Sequence, residues 1–188
     1  YGDNITGNLE ANRLRGWGGA DLIKGLGGND IIDGGVGIDT MLGGDGSDTY
    51  YADVFNDVVT ETNAVLATGG NDVVVFSGTA GTFTLGLNVE RLTLSGASAV
   101  GGTGNTLANT ISGNGAANVL SGLGGNDYIN GGKGIDTMIG GDGTDVFYAD
   151  VFNDVVTETN AVLATGGNDV VVFSGTSGTF TLDRKIVV

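Results

Sequence analysis

Gly34-Gly35-Val36-Gly37-Ile38-Asp39-Thr40-Met41-Leu42 is followed without a break by Gly43-Gly44-Asp45-Gly46-Ser47-Asp48-Thr49-Tyr50-Tyr51. Both stretches carry glycine at their first, second and fourth positions, Asp at the sixth and a large apolar residue at the eighth. The nine-residue phase runs outward through Asp30 and Asp21, and it returns at Asp127, Asp136 and Asp145. The residue two places after each Asp is apolar throughout: Ile23, Ile32, Met41, Tyr50, Ile129, Met138 and Phe147. A fixed short period of this kind sets the architecture before local propensity does, because each unit buries its apolar residue only by stacking on its neighbours.

Six residues with three glycines adopt positive-φ turns that β-branched residues resist. The last three have room for a short strand whose middle residue points inward. Two units close one flattened coil of 18 residues, so stacking sets Asp21 over Asp39, Asp30 over Asp48 and Asp127 over Asp145. The pattern predicts an all-β fold, a solenoid of stacked coils. No 3.6-residue apolar stripe is present, so almost no helix is expected.

Carboxylates stacked one strand spacing apart, roughly 4.8 Å, repel strongly unless a cation lies between them. The donors on offer are carboxylate oxygens and the carbonyl oxygens of bare glycine backbone. Six or more hard oxygens in a flexible turn suit Ca²⁺ better than Mg²⁺, which demands a tight octahedron and keeps its waters. The candidate ligands are Asp21, Asp30, Asp39, Asp48, Asp127, Asp136 and Asp145. With them go the turn residues Gly28, Asn29, Gly35, Gly37, Gly44, Gly46, Gly125, Asn126, Gly132, Gly134, Gly141 and Gly143. Several Ca²⁺ ions are expected.

Composition agrees. The 188 residues include 38 glycines and carry a net charge of −15, with 18 Asp against 4 Glu among the acids. Acids serving only as solvation would use more Glu, the better helix former, whereas Asp is a turn residue and a short-armed ligand. A polyanion of this size is repelled by phosphate backbones and anionic lipid, so nucleic-acid binding and membrane insertion are not expected. Cysteine and histidine are absent, which removes disulfides, thiol chemistry, and Ser-His-Asp or Cys-His catalysis. Glu61, Glu90 and Glu158 lie in strand-like stretches, and the repetition of Glu61 as Glu158 suits exposed structural positions better than a glycosidase pair. Gly131-Gly132-Lys133-Gly134 lacks the Ser or Thr of a phosphate loop. The chain is read as a non-enzyme.

A longer repeat lies over the short one. Residues 149–182 match 52–85 at every position except Ala80, which becomes Ser177, an offset of 97. The organisation is a first roll block at 1–51, a β-rich spacer at 52–103, a second roll block at 104–148, and a second spacer copy at 149–188 that is truncated or capping. The spacer reads as short strands at Val58–Thr60, Val73–Phe76, Phe83–Leu85 and Leu92–Leu94. The nine-residue phase persists at Val65, Val74, Phe83 and Leu92, so the solenoid is expected to run on. The start at Tyr1 without a signal segment suggests a piece of something longer, and the break in the repeat at Asp183-Arg184-Lys185 reads as a cap or a cut.

The rungs 34–42, 43–51, 131–139 and 140–148 resemble the repeats-in-toxin (RTX) family of Ca²⁺-binding nonapeptides at all its fixed positions. Rungs 16–24, 25–33 and 122–130 keep the Asp but put Trp17, Leu26 and Leu123 in place of the second glycine. Asn12, Asn109 and Asn118 replace Asp in the outermost rungs. The spacers look like those between such repeats in large secreted bacterial proteins. The resemblance implies a parallel β-roll that folds on external Ca²⁺ after export through a type I secretion channel, placing the protein outside the cell or on its surface. Three roles fit: a scaffold, an accessory module of a larger secreted enzyme, and a self-assembling surface-layer or filament subunit. Self-association or a surface ligand are the candidate partners besides calcium.

Several acids carry blander readings. Asp45 and Asp142 suit solvated side chains, and Asp72 and Asp169 suit turn caps. Asp53, Asp57, Asp150 and Asp154 suit loop caps, with an extra ion at the end of the roll as the alternative. Trp17 with Arg13 and Arg15 suits a cover for the open end of the first coil or a contact patch. Chelation by EDTA is expected to unfold the ladder segments, and a circular dichroism spectrum indifferent to EDTA would refute the metal reading.

Overall fold

The residue two places after each ladder Asp is sealed in the interior: Ile23, Ile32, Met41, Tyr50, Ile129, Met138 and Phe147 are each 0% exposed. Their flanking strand residues remain half-buried or exposed, as in Thr40-Met41-Leu42, so each short strand sends one side chain inward. The computed structural model describes residues 1–62, 69–151, 153–158, 167–175, 181–182 and 186–187. The elements it delimits are strands, and the paired strands run parallel, giving a β-solenoid.

Successive strands alternate between two faces of the coil. One face is a sheet of ten strands, running from Arg13–Arg15 through Thr49–Ala52, Val73–Phe76 and Arg91–Leu94 to Asp169–Phe173 and Ile186–Val187. The other face is divided. A four-stranded sheet ends at Val58–Thr60, and a six-stranded sheet starts at Thr82–Thr84. Within the rolls the register steps by one coil, pairing Ile23 with Met41 and Ile129 with Phe147. Where roll meets spacer the coil lengthens: Tyr50 pairs with Val74 and Phe147 with Val171. The spacer strands expected at Val58–Thr60 and Val73–Phe76 are present, the next pair is Thr82–Thr84 and Arg91–Leu94, and a further strand lies at Gly101–Thr103. Val65 and Asp183-Arg184-Lys185 lie outside the described residues.

The core is a single file of stacked side chains with two inward positions per coil. It thickens in the spacer, where Phe76 and Phe83 meet with ring centroids 5.1 Å apart. The ladder strands on the divided face are longer than the three residues expected. Leu22–Gly27 and Thr40–Asp45 run on through the first glycines of the following rung. Leu26 pairs with Gly44 there and Gly27 with Asp45, because bare backbone lets neighbouring coils stay in hydrogen-bonding range.

The three rungs lacking a second glycine keep its geometry. Trp17, Leu26 and Leu123 have φ of 71°, 84° and 75°, in line with 91° at Gly35 and 112° at Gly141. Stacking dictates the turn, and the side chain is carried into the left-handed region with it. Trp17 stands exposed on the outer turn with the Arg15 guanidinium 4.1 Å from its ring centroid, so it does not fold back as a cover. The left-handed region costs a residue with a Cβ about 1–2 kcal/mol, and the unfolded-chain entropy of glycine offsets about 0.5–1 kcal/mol of any relief. Leu26 and Leu123 are 46% and 50% exposed and contribute little packing. Leu26→Gly and Leu123→Gly are therefore each expected to raise stability by up to about 1 kcal/mol. Urea unfolding in excess Ca²⁺ measures this, and a lowered midpoint would contradict it.

Candidate metal centre

Every ladder Asp sits in the turn just before a strand, at the end of a coil where the chain reverses. Its backbone N–H donates to Oδ1 of the Asp one coil on. Asp21 to Asp39 is 2.8 Å, Asp30 to Asp48 is 2.6 Å, and Asp127 to Asp145 is 2.7 Å. The columns then continue into the spacers. Asp39 donates to Asp57 Oδ1, Asp48 to Asp72 Oδ1, Asp136 to Asp154 Oδ1 and Asp145 to Asp169 Oδ1, all at 2.7–2.9 Å. Asp57 also caps its loop, accepting the Asp53 and Val54 N–H groups on Oδ2. The spacer acids expected as caps are thus members of the ladder as well.

The hydrogen bond consumes one oxygen per carboxylate. The other, Oδ2 of Asp21, Asp30, Asp39, Asp48, Asp127, Asp136 and Asp145, is buried and has no hydrogen-bond partner. Native proteins leave few buried polar atoms without a partner, and an anionic oxygen left so is the most costly kind. Each unpartnered oxygen faces the first glycine of its own rung. A Cβ on Gly16 would run into Asp21 Oδ2 and the Gly34 carbonyl, and one on Gly25 into Asp30 Oδ2 and the Gly43 carbonyl. Gly122 repeats the arrangement with Asp127 Oδ2 and the Gly140 carbonyl. Carboxylate and carbonyl oxygens of adjacent coils therefore converge on one small space that only glycine leaves open.

The second and fourth glycines of each rung do a different job. A Cβ on Gly35, Gly37, Gly44 or Gly46 would strike the backbone of the preceding coil, so these positions let the turns nest. Asn29 and Asn126 face outward, and their Oδ1 atoms accept the Ser47 and Thr144 N–H groups of the next coil at 2.9 Å. The Asn rungs close by themselves: Asn109 Nδ2 donates to the Val89 carbonyl at 3.1 Å and Asn118 Nδ2 to the Val100 carbonyl at 2.9 Å. An amide brings its own donor where a carboxylate needs a cation.

Sequence reasoning missed two features. The first-position glycines border the unpartnered oxygens, and their constant place five residues before each Asp was the available signal. Glu61 was expected at the surface, yet it is 3% exposed, and Glu158 is half-buried. Each accepts a turn N–H on Oε2, from Gly44 at 2.9 Å and from Gly141 at 3.2 Å. Nothing in the local pattern Val-Val-Thr-Glu announces this, since only the stacked coil brings Glu61 beneath the turn.

The model of the RTX calcium-binding nonapeptide repeat matches four times, over residues 1–32, 24–59, 103–138 and 124–156, which together make up more than half of the chain. The chain belongs to the RTX calcium-binding repeat family. No curated protein matches it. RTX repeats bind Ca²⁺, and the donor set of this roll fits that ion: hard oxygens only, anionic, buried, and each ladder carboxylate with one oxygen unclaimed. Among the described residues no helix is long and apolar enough to cross a membrane.

Burial raises the carboxyl pKa values of the RTX ladder. It pushes Asp48, Asp136 and Asp145 up to about 6, and Asp127 up to about 7. Asp72 rises to about 7, Glu158 to about 7 and Glu61 to about 8. Desolvation leads in every case; backbone N–H donors pull the other way and neighbouring carboxylates add to the rise. A carboxyl with a raised folded-state pKa binds its proton more tightly folded than unfolded. Its stabilising effect is complete below the unfolded value and is lost as pH climbs through the folded one. In EDTA any residual β signal in circular dichroism is therefore expected to be greatest near pH 4 and to be lost by about pH 8. Saturating Ca²⁺, which competes with protons for the same oxygens, is expected to abolish or reverse that slope. A β signal in EDTA that grows with pH would contradict the assignment.

Proposed function

We propose that this chain is a Ca²⁺-folded scaffold segment of a bacterial protein that acts outside the cell or on its surface, exported by a type I route. The carboxylates of Asp21, Asp30, Asp39, Asp48, Asp127, Asp136 and Asp145 serve as ligands between coils, joined by turn carbonyls. The observation that carries this reading is the run of buried, unpartnered Oδ2 atoms in register with the coils. Segments 1–51 and 104–148 act as metal-dependent rolls, and 52–103 and 149–188 as spacers that keep the rolls coaxial. The chain is a scaffold, not an enzyme.

Linkage supplies the mechanism. A site held at 100 times its Kd adds roughly 2.7 kcal/mol to folding, and one far below its Kd adds nothing. Several sites in the range of about 10⁻⁴–10⁻³ M, typical of extracellular modules, leave the chain unfolded at the low Ca²⁺ of a bacterial interior and fold it on exit. An unfolded chain is also the form that threads a narrow channel.

Circular dichroism during a Ca²⁺ titration tests the proposal. A cooperative gain of β signal is expected with a midpoint of about 0.1–1 mM, with little response to Mg²⁺ at the same concentration. A chain already folded at micromolar Ca²⁺, or folded equally well by Mg²⁺, would overturn it. Light scattering on the same samples separates a monomeric scaffold from a self-assembling subunit, for which mass rises with Ca²⁺.

A further inference from the structure

We propose that Asp145, Glu158 and Asp169 form an additional Ca²⁺ site where the second roll meets its spacer, and that Asp48, Glu61 and Asp72 form a weaker counterpart in the first copy. The proposal rests on the Ca²⁺-folding reading and adds ions that the nonapeptide turns alone do not account for. In each trio one carboxylate oxygen per residue lies within 4.8 Å of the other two. The three members come from different parts of the fold. Asp145 belongs to the last rung, Asp169 opens a spacer strand, and Glu158 follows the strand Val155–Thr157 on the opposite face.

What separates this trio from an ordinary acidic cluster is that every member is pinned by one oxygen and bare at the other. Asp145 Oδ1 accepts the Asp127 N–H at 2.7 Å, and Asp169 Oδ1 accepts the Asp145 N–H at 2.8 Å. Glu158 Oε2 accepts the Gly141 N–H at 3.2 Å. The remaining oxygens, Asp145 Oδ2, Asp169 Oδ2 and Glu158 Oε1, are buried without a partner, and Asp145 and Asp169 are both 0% exposed. Three carboxylates, each held by a backbone donor and each with one buried oxygen unclaimed, lie close enough together for one cation to bridge them. Gly140 leaves the space open, since a Cβ there would run into both Asp145 Oδ2 and Glu158 Oε1.

The first copy carries an added hydroxyl at this junction. Tyr50 occupies the buried position that Phe147 takes in the second copy, and its hydroxyl donates to Glu61 Oε1. The backbone pins are the same: the Asp30, Asp48 and Gly44 N–H groups hold Asp48, Asp72 and Glu61. An incoming ion must share Glu61 Oε1 with the phenol, whereas Glu158 Oε1 is free for it. Losing most of a hydrogen bond to a charged group corresponds to about a tenfold weaker affinity.

Calorimetric Ca²⁺ titration of the whole chain tests this, with circular dichroism at saturating Ca²⁺ to check folding. Glu158→Gln is expected to fold and to bind one ion fewer. Phe147→Tyr is expected to weaken one ion about tenfold, and Tyr50→Phe to tighten one by a similar factor. If Glu158→Gln fails to fold, the two aromatic exchanges decide, and unchanged affinities in both overturn the junction sites. Wild-type chain that takes up ladder ions, with Glu158→Gln matching it in stoichiometry and affinity, overturns the junction sites alone. A wild-type chain that binds no Ca²⁺ overturns the scaffold reading itself.

Discussion

The backbone N–H of one Asp donating to the carboxylate of the Asp a coil away is the contact on which the rest of this solenoid depends. It fixes the stacking register, because a slip of one residue would turn every inward Ile, Met, Tyr or Phe to the solvent face. It also sets the electrostatic problem. Each carboxylate is carried into the interior of the turn with one oxygen satisfied and one left bare. A chain of net charge −15 cannot hold such columns together by its own counter-charges, of which it has only 7 Lys and Arg. Arg15 is paired with Asp33 and not with a ladder carboxylate. Burial of the apolar file favours the coil, burial of the carboxylates opposes it, and a hard cation converts the second from cost to support. On the proposed function, folding and metal uptake are one equilibrium.

The spacers take part in this balance. Asp57, Asp72, Asp154 and Asp169 extend the columns past the last glycine-rich rung, and Glu90 Oε2 accepts the Asp72 N–H at 2.8 Å. Beyond Glu90 the column changes chemistry. Asn105 and Asn109 satisfy each other and the carbonyls of Gly86 and Val89. Carboxylate-lined coils therefore give way to a stretch that closes on amide donors and on a thicker core around Phe76, Phe83, Leu92 and Leu94. The second roll stacks directly on this amide-closed stretch, with the Asn109 N–H donating to Asp127 Oδ1 at 2.7 Å.

The ladder residues were legible because their roles are periodic. The inward position, the stacked Asp pairs and the solenoid architecture all follow from a repeat of nine that closes in pairs. The substitutions within the ladder were legible only as departures. Leu26 and Leu123 stood in the sequence as replacements of the second glycine, and the coils on either side hold them at positive φ while their Asp residues keep the same geometry as in the intact rungs. Glu61 was misplaced for a related reason. In a lone strand it would face solvent, but the lengthened coil that follows sets Asp72 beside it and Tyr50 beneath it.

Sequence alone determined that this chain is an all-β solenoid of stacked 18-residue coils, that acidic turns face one another across coils, and that the ion they suit is Ca²⁺. Those conclusions need only local spacing, since a strict period leaves one way to bury one apolar residue in nine. Tertiary structure alone decided which oxygen of each carboxylate is bare, which glycines border it, and that spacer acids join the columns. These depend on the distance between coils and on contacts between residues 17 to 24 positions apart. No run of neighbouring residues encodes such contacts, because the stacked coils themselves create them.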